Sequence, residues 1–392
     1  MDYVVMLGTV SRFNSVSAKG HMDMRTTSDK YSTLDGLRGV AAMLVVMYHF
    51  PGFFRPVYVE NSYLMVDLFF VMSGFVIASA YEEKLSCGNI SPLRFMRLRL
   101  IRLYPLYALG TLLGTAGLLW RLPRSDWHLV ASAFPFGLLM LPCPLVIRIF
   151  YPLSYAERVL YPLNYPSWSL FFELLANAGY AVFFKYLSTR VLLTLVAASG
   201  VMLIAKGIHG KPLSAGWILA GSYVGLLRIA YSFSTGILLF RFRAARRKTS
   251  NVLAIALVAA FILLFCLPIP DIFRTVFIFS IALFVSPVLV WVAAAVEPSR
   301  KVRKVFLFFG AVSYGVYVLH VPVGAFCQLM FGDIEHLGPH VTPWVGAGLL
   351  LTVVALASIA EKIYDIPVRR RLLKGWIVRK NLPMTVDATL NQ

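Results

Sequence analysis

Arg38-Gly39-Val40-Ala41-Ala42-Met43-Leu44-Val45-Val46-Met47-Tyr48-His49 is an apolar run with a cation at one end and an imidazole at the other. Eleven steps separate Arg38 from His49, about three helical turns, so on an α-helix the two groups share a face and stand roughly 16 Å apart along the axis. That is about half the thickness of a bilayer's hydrocarbon core. An ionisable side chain held at such depth is expensive and marks a functional site, so the remaining sequence is best read by asking what it brings to His49.

The surrounding chain is of the same apolar kind. Of its 392 residues 59% are hydrophobic and only 14% charged, and the mean hydropathy is +0.74. These values describe an all-α polytopic transmembrane bundle. The net charge of +19 would suit nucleic acid if it formed one patch. Instead the Lys and Arg fall between apolar segments, as in the cytoplasmic loops of an inner-membrane protein, and no nucleic-acid partner is expected. Residues 1–20 lack a continuous apolar core ahead of a small-residue cleavage site, so no signal peptide is expected. Cys87, Cys143, Cys266 and Cys327 are scattered without CxxC spacing, which indicates neither a metal site nor a disulfide framework.

Residues 1–33 read as a polar cytoplasmic tail, 34–373 as the membrane domain and 374–392 as a second cytoplasmic tail. Spans are expected near Leu34–Phe50, Tyr63–Tyr81 and up to Trp120, the third preceded by a basic amphipathic segment, Ser91 to Pro105, at the cytoplasmic interface. The stretch Trp127–Phe150 is long enough to cross but is interrupted by Pro135, Pro142 and Pro144. Charge decides its fate. If it does not cross, seven further spans follow near Trp168–Tyr186, Val191–Ile204, Trp217–Phe240, Val252–Leu267, Ile272–Val292, Val305–Met330 and Thr342–Ala360. Of the 37 Lys and Arg, 28 then lie inside and eight outside, with Arg228 within a span. If it does cross, the basic loops at 241–248 and 300–304 and the basic C-terminus all move outside, against the positive-inside rule. The expectation is therefore about ten spans, a re-entrant or interfacial hairpin at Trp127–Phe150, and both termini cytoplasmic.

Few polar residues enter these spans. His49 near the outer end of span one can act as a general base on a hydroxyl or as a transient acyl carrier. Asp67, one turn inside span two, either orients that imidazole or is a helix-start carboxylate favoured by the macrodipole. Ser73-Gly74 reads as a small-residue notch for close helix packing. In span four, Ser167 or Ser169 can cap the helix and Trp168 suits the interface, whereas Glu173, sharing a face with Asn177, has no capping explanation. Ser313, Tyr317 and His320 form a stripe that suits either packing or a lined passage. At the inner boundary Arg94, Arg97, Arg99 and Arg102 suit anionic lipid or the phosphates of an entering donor. Cations thus guard the inside, while His, Asp and Glu collect toward the outside.

These segments together resemble the acyltransferase-3 family, bacterial inner-membrane O-acyltransferases that modify surface and secreted glycans. The resemblance covers about Leu34 to Leu373. It is carried by Leu34-Asp35-Gly36-Leu37-Arg38 with Tyr48-His49-Phe50, Val66-Asp67-Leu68-Phe69-Phe70-Val71-Met72-Ser73-Gly74-Phe75, Arg97, Arg99 and Arg102 with Tyr104-Pro105, Pro166-Ser167-Trp168-Ser169-Leu170 with Glu173, Ser313-Tyr314-Gly315-Val316-Tyr317-Val318-Leu319-His320, and Asp365-Ile366-Pro367 with Arg369. The last departs from the family in holding Asp365 where Glu is usual. The resemblance implies transfer of an acyl group, most often acetyl, from cytoplasmic acyl-CoA as co-substrate, with no tightly bound cofactor and no metal, to a glycan hydroxyl at the outer face. Catalysis is then expected of His49, Asp67 and Glu173, and donor binding of Arg38, Arg97, Arg99 and Arg102. Acceptor binding falls to Trp168, Ser169, Asn177, Tyr317 and His320. The competing expectation is a non-enzymatic transporter of a glycan or lipid-linked precursor, although no paired repeat of the kind many transporters carry is evident.

Overall fold

A computed structural model describes residues 31–145, 159–208, 213–243, 247–331, 337–338 and 340–380. Most of the expected N-terminal tail, the end of the expected hairpin with Arg148, and the C-terminal tail beyond residue 380 lie outside these residues. Among the described residues the chain forms α1 Ser32–His49, α2 Met65–Ser86, α3 Pro92–Arg121, α4 Trp127–Leu138, α5 Ser167–Phe183, α6 Thr189–Ile208, α7 Ser222–Arg241, α8 Asn251–Cys266, α9 Asp271–Ser280, α10 Ser286–Ala294, α11 Arg300–Phe331, α12 Thr342–Ala360 and α13 Ile366–Lys380. A two-residue parallel ladder joins Lys248–Thr249 to Val296–Glu297. The all-α expectation holds, and the protein is a multi-pass membrane protein.

Helices stand at all ten expected places, yet seven among the described residues are long and apolar enough to cross a membrane. The shortfall falls on α1, α5 and α8, with 18, 17 and 16 residues. α5 and α8 are short, about 24–26 Å at 1.5 Å per residue, whereas α1 is long enough but carries Asp35, Arg38 and His49 among its apolar residues. Length and composition alone thus mark seven of the ten expected spans among the described residues, and the count of ten is not confirmed. α4 has 12 residues and does not cross. It lies against α3, where Tyr104 and Tyr107 donate their hydroxyls to the carbonyls of Leu138 and Gly137. α1 starts at Ser32, two residues before the expected Leu34, with Ser32 and Thr33 buried, and α13 ends at Lys380.

Close helix contacts set the geometry of the interior. α1 packs along α11 more extensively than any other pair of elements. The approach depends on Gly39, where a Cβ would stand 2.4 Å from the Phe309 Cβ. α2 and α7 meet as closely, since a Cβ at Gly74 would be 2.1 Å from the Phe233 carbonyl oxygen, as the notch reading of Ser73-Gly74 anticipates. On the expected cytoplasmic side, Ser32 donates its backbone N–H to the Glu297 carboxylate at 3.1 Å, fastening the start of α1 beside the ladder. Two π-turns, Ile281–Val285 and Glu361–Asp365, precede Ser286-Pro287 and Ile366-Pro367. Each proline lacks the N–H for a regular helical bond, and the wider turn absorbs the interruption without breaking the helix.

Candidate active site

The pairing of α1 with α11 brings together two histidines 271 positions apart in sequence: His320 Nε2 lies 2.9 Å from His49 Nδ1. His49 Nδ1 is also 2.9 Å from the Val45 carbonyl. His320 Nδ1 faces the Tyr317 and Val316 carbonyls at 2.7 and 3.2 Å. Tyr48 and Tyr165 each set a ring edge-on to His49 with centroids 5.0 Å apart. Tyr165 is held there by its neighbour. Pro322 in α11 has no N–H for the Val318 carbonyl, which is left to accept a 2.9 Å hydrogen bond from Asn164 Nδ2.

His49 opens on a cavity of about 370 Å³ lined by Val45, Tyr48, His49, Tyr63, Val66, Tyr165, Pro166, Trp168, Ser214, Trp217, Arg228 and Tyr317. Trp168 and Tyr317, two of the expected acceptor residues, are in its wall, and Ser169 supports Tyr317 through a 2.7 Å contact between hydroxyls. Asn177 is not; it is fully buried in α5, with neither amide atom hydrogen-bonded among the described residues.

The expected contact of Asp67 with His49 is not made. Both carboxylate oxygens of Asp67 accept from Arg228, at 2.9 Å from Nε and 2.7 Å from Nη2. Arg228 also donates to the Leu213 carbonyl at 3.1 Å and the Tyr63 carbonyl at 3.4 Å, and its guanidinium lies 5.6 Å from the Trp168 ring. A two-oxygen carboxylate matches the planar guanidinium fork far better than a neutral imidazole does, and the apolar surroundings demand such a pairing. Sequence reading gave Arg228 no role. Its signal was its position, a lone cation amid an apolar span.

Glu173 also lies apart from His49. Its Oε1 accepts from Ser73 Oγ at 2.7 Å and from Arg99 Nη2 at 3.2 Å, joining α5, α2 and α3. Farther along α3 is Arg102, close enough to Arg369, Asp365, Arg99 and Arg38 to interact with their charges. Asp365 pairs with Arg369 one turn on, so the shorter carboxylate still reaches a cation. Arg38 pairs with Asp35 at 3.1 Å. Arg97 is exposed on α3. Tyr314 connects the two clusters: it lies near Asp365, Glu173 and Arg102 and donates its hydroxyl to the Leu103 carbonyl at 2.6 Å. Among the described residues no three His, Cys, Asp or Glu side chains gather as a metal would need.

The site thus has a cavity with an imidazole in its wall, a separate cluster of guanidinium groups, and a polar helix face between them. Known proteins of three kinds are similar to the chain. A protein of the picA locus of Rhizobium radiobacter is 37% identical over 190 residues, covering 45% of this chain and 94% of that protein. A membrane-bound transacylase of Komagataeibacter xylinus, so named provisionally, is 32% identical over 108 residues, 28% of this chain and 26% of that protein. A Staphylococcus aureus (strain COL) protein provisionally named an O-acetyltransferase is 25% identical over 378 residues, 87% of this chain but only 58% of its own length. No solved structure matches the chain. Residues 31–360 match the acyltransferase domain that defines the acyltransferase-3 family, and the chain belongs to that family of membrane O-acyltransferases.

Proposed function

We propose that the protein transfers an acetyl group from cytoplasmic acetyl-CoA to a hydroxyl of a surface or secreted glycan, working in an inner membrane with both termini cytoplasmic. The observation that carries this reading is the polar face of α11. Tyr314 lies beside the Arg102 and Glu173 groups, Tyr317 lines the outer cavity, and His320 meets His49. Coenzyme A phosphates held by Arg38, Arg99 and Arg102 would leave the pantetheine arm to run along this face, over the roughly 16 Å that separates Arg38 from His49 along α1. Exposed Arg97 suits a peripheral contact with the donor's nucleotide.

The cavity's character supports a carbohydrate acceptor. Arg228, the one Lys or Arg among its described lining residues, is matched by Asp67, while tyrosine and tryptophan rings supply flat faces with hydroxyl and indole N–H groups at their edges. In the reaction, His49 takes the proton of the attacking hydroxyl as its oxygen bonds to the thioester carbonyl; the carbon–sulfur bond then breaks, and the departing thiolate recovers that proton. The staphylococcal relatives' provisional name agrees with acetyl as the group moved.

Membranes containing the protein, supplied with radiolabelled acetyl-CoA, are expected to place base-labile label in the carbohydrate fraction. His49→Ala should lower incorporation on the order of 10²–10⁴-fold. Arg102→Ala should raise the KM for acetyl-CoA more than it lowers kcat. Equal labelling with and without His49 would refute the reading.

A further inference from the structure

A buried histidine that serves as a base needs a group to fix which nitrogen holds the proton, a task given to a carboxylate in Ser-His-Asp sites. Here Asp67 is fully engaged by Arg228 and Glu173 by Ser73 and Arg99. We propose that His320 is the positioning residue, holding His49 as the tautomer protonated on Nδ1 and so leaving the Nε2 lone pair as the base. The proposal rests on the reading of His49 as the base in acyl transfer.

Four contacts determine the proton positions. His320 Nδ1 faces two carbonyl oxygens, at 2.7 and 3.2 Å, which only accept hydrogen bonds. That nitrogen therefore carries the proton, and in the neutral ring Nε2 is an acceptor. His49 Nδ1, 2.9 Å from this acceptor and 2.9 Å from the Val45 carbonyl, must be the donor. The opposite assignment would keep the hydrogen bond between the two rings but set lone pairs against carbonyl oxygens at the other three contacts, in an interior where an unmet polar group costs about 1–3 kcal/mol. Chain carbonyls thus dictate the state of His320, and His320 dictates that of His49. His49 Nε2, with no protein partner of its own among the described residues, belongs to a side chain lining the cavity.

The choice of a neutral acceptor follows from the surroundings. His320 is fully buried, and a carboxylate in its place would need a counter-ion as Asp67 needs Arg228. An imidazole carries no standing charge. When His49 Nε2 takes the hydroxyl proton, the positive charge spreads to its Nδ1–H, and the hydrogen bond to His320 strengthens at that moment. The proton returns from Nε2 to the thiolate, and neither Nδ1 proton leaves its nitrogen at any step.

Two measurements on the full-length protein in lipid nanodiscs test this. With ¹⁵N-labelled histidine, NMR should find the unprotonated nitrogen of His49 at Nε2 in the wild type, and a mixture of tautomers in His320→Leu. His320→Gln, whose side-chain oxygen can stand near the Nε2 position, should restore the single tautomer. In membranes given radiolabelled acetyl-CoA, His320→Leu should lower kcat on the order of 10²–10⁴-fold with the KM for acetyl-CoA changed less than about threefold, and His320→Gln should recover at least about tenfold. An unprotonated Nδ1 on wild-type His49, or equal impairment of the Leu and Gln variants, would overturn the proposal. Full activity in His49→Ala would instead remove the underlying reading while leaving the tautomer measurement interpretable.

Discussion

Arg228 shows how much one buried side chain can organise. Its guanidinium satisfies both oxygens of Asp67 and the carbonyls of Leu213 and Tyr63, so it ties α7 to α2, to the turn preceding α2 and to the segment that follows α6. With both partners at most 2% exposed, either charge alone would be left without water or counter-ion. Asp67→Ala is therefore expected to destabilise the protein by about 3–5 kcal/mol, and the double variant Asp67→Leu with Arg228→Leu to recover a large part of that loss. Thermal unfolding in one detergent, compared across wild type, single and double variants, checks this; a double variant no more stable than the single one would refute it. The pair also marks where sequence reading ends. Helical spacing places Arg38 and His49 on one face because both lie on one helix. Nothing local relates Asp67 to Arg228, 161 positions away, or His49 to His320. Each was visible as a costly residue in an apolar run, but its partner was set by which helices pack together.

Among the elements, α1 and α11 carry the site, and their closeness depends on residues without side chains. Gly39 meets Phe309, Gly36 meets the Phe306 ring, and Gly310 meets Asp35. Gly39→Val should force the helices apart, with an overpacking cost of about 1–3 kcal/mol and a disproportionate loss of activity, because the His49–His320 contact lies farther along the same seam. Gly52 is the matched control, since a Cβ there meets nothing within 4 Å. Activity measured at equal amounts of folded protein separates the outcomes; equal behaviour of Gly39→Val and Gly52→Val would refute the dependence. The helices were legible from apolar runs bounded by proline and charge. The extents of α1 and α8 were legible too, within two residues of the expected Leu34–Phe50 and Val252–Leu267, whereas α5 ends at Phe183, before the expected Tyr186, because where a helix stops depends on its contacts as well as on its composition.

For the whole molecule, the distribution of Lys and Arg gives the proposed orientation, and a native residue can test it. Cys87 is exposed in the turn between α2 and α3, on the side assigned to the cytoplasm. A membrane-impermeant maleimide should label Cys87 in inverted vesicles and leave it unlabelled in intact cells, with Cys87→Ser as the blank; labelling from outside would reverse the topology. The matched charges of Asp67 and Arg228 have one more consequence. A cell's membrane voltage acts on net charge, at about 2.3 kcal/mol per elementary charge per 100 mV. An ion pair whose two charges cancel feels almost no net force, and the proposed donor, its phosphates kept at the inner boundary, would send only an uncharged arm into the field. Acyl transfer of the proposed kind would be electrically silent, so labelling at a fixed acetyl-CoA concentration should not change with the membrane voltage.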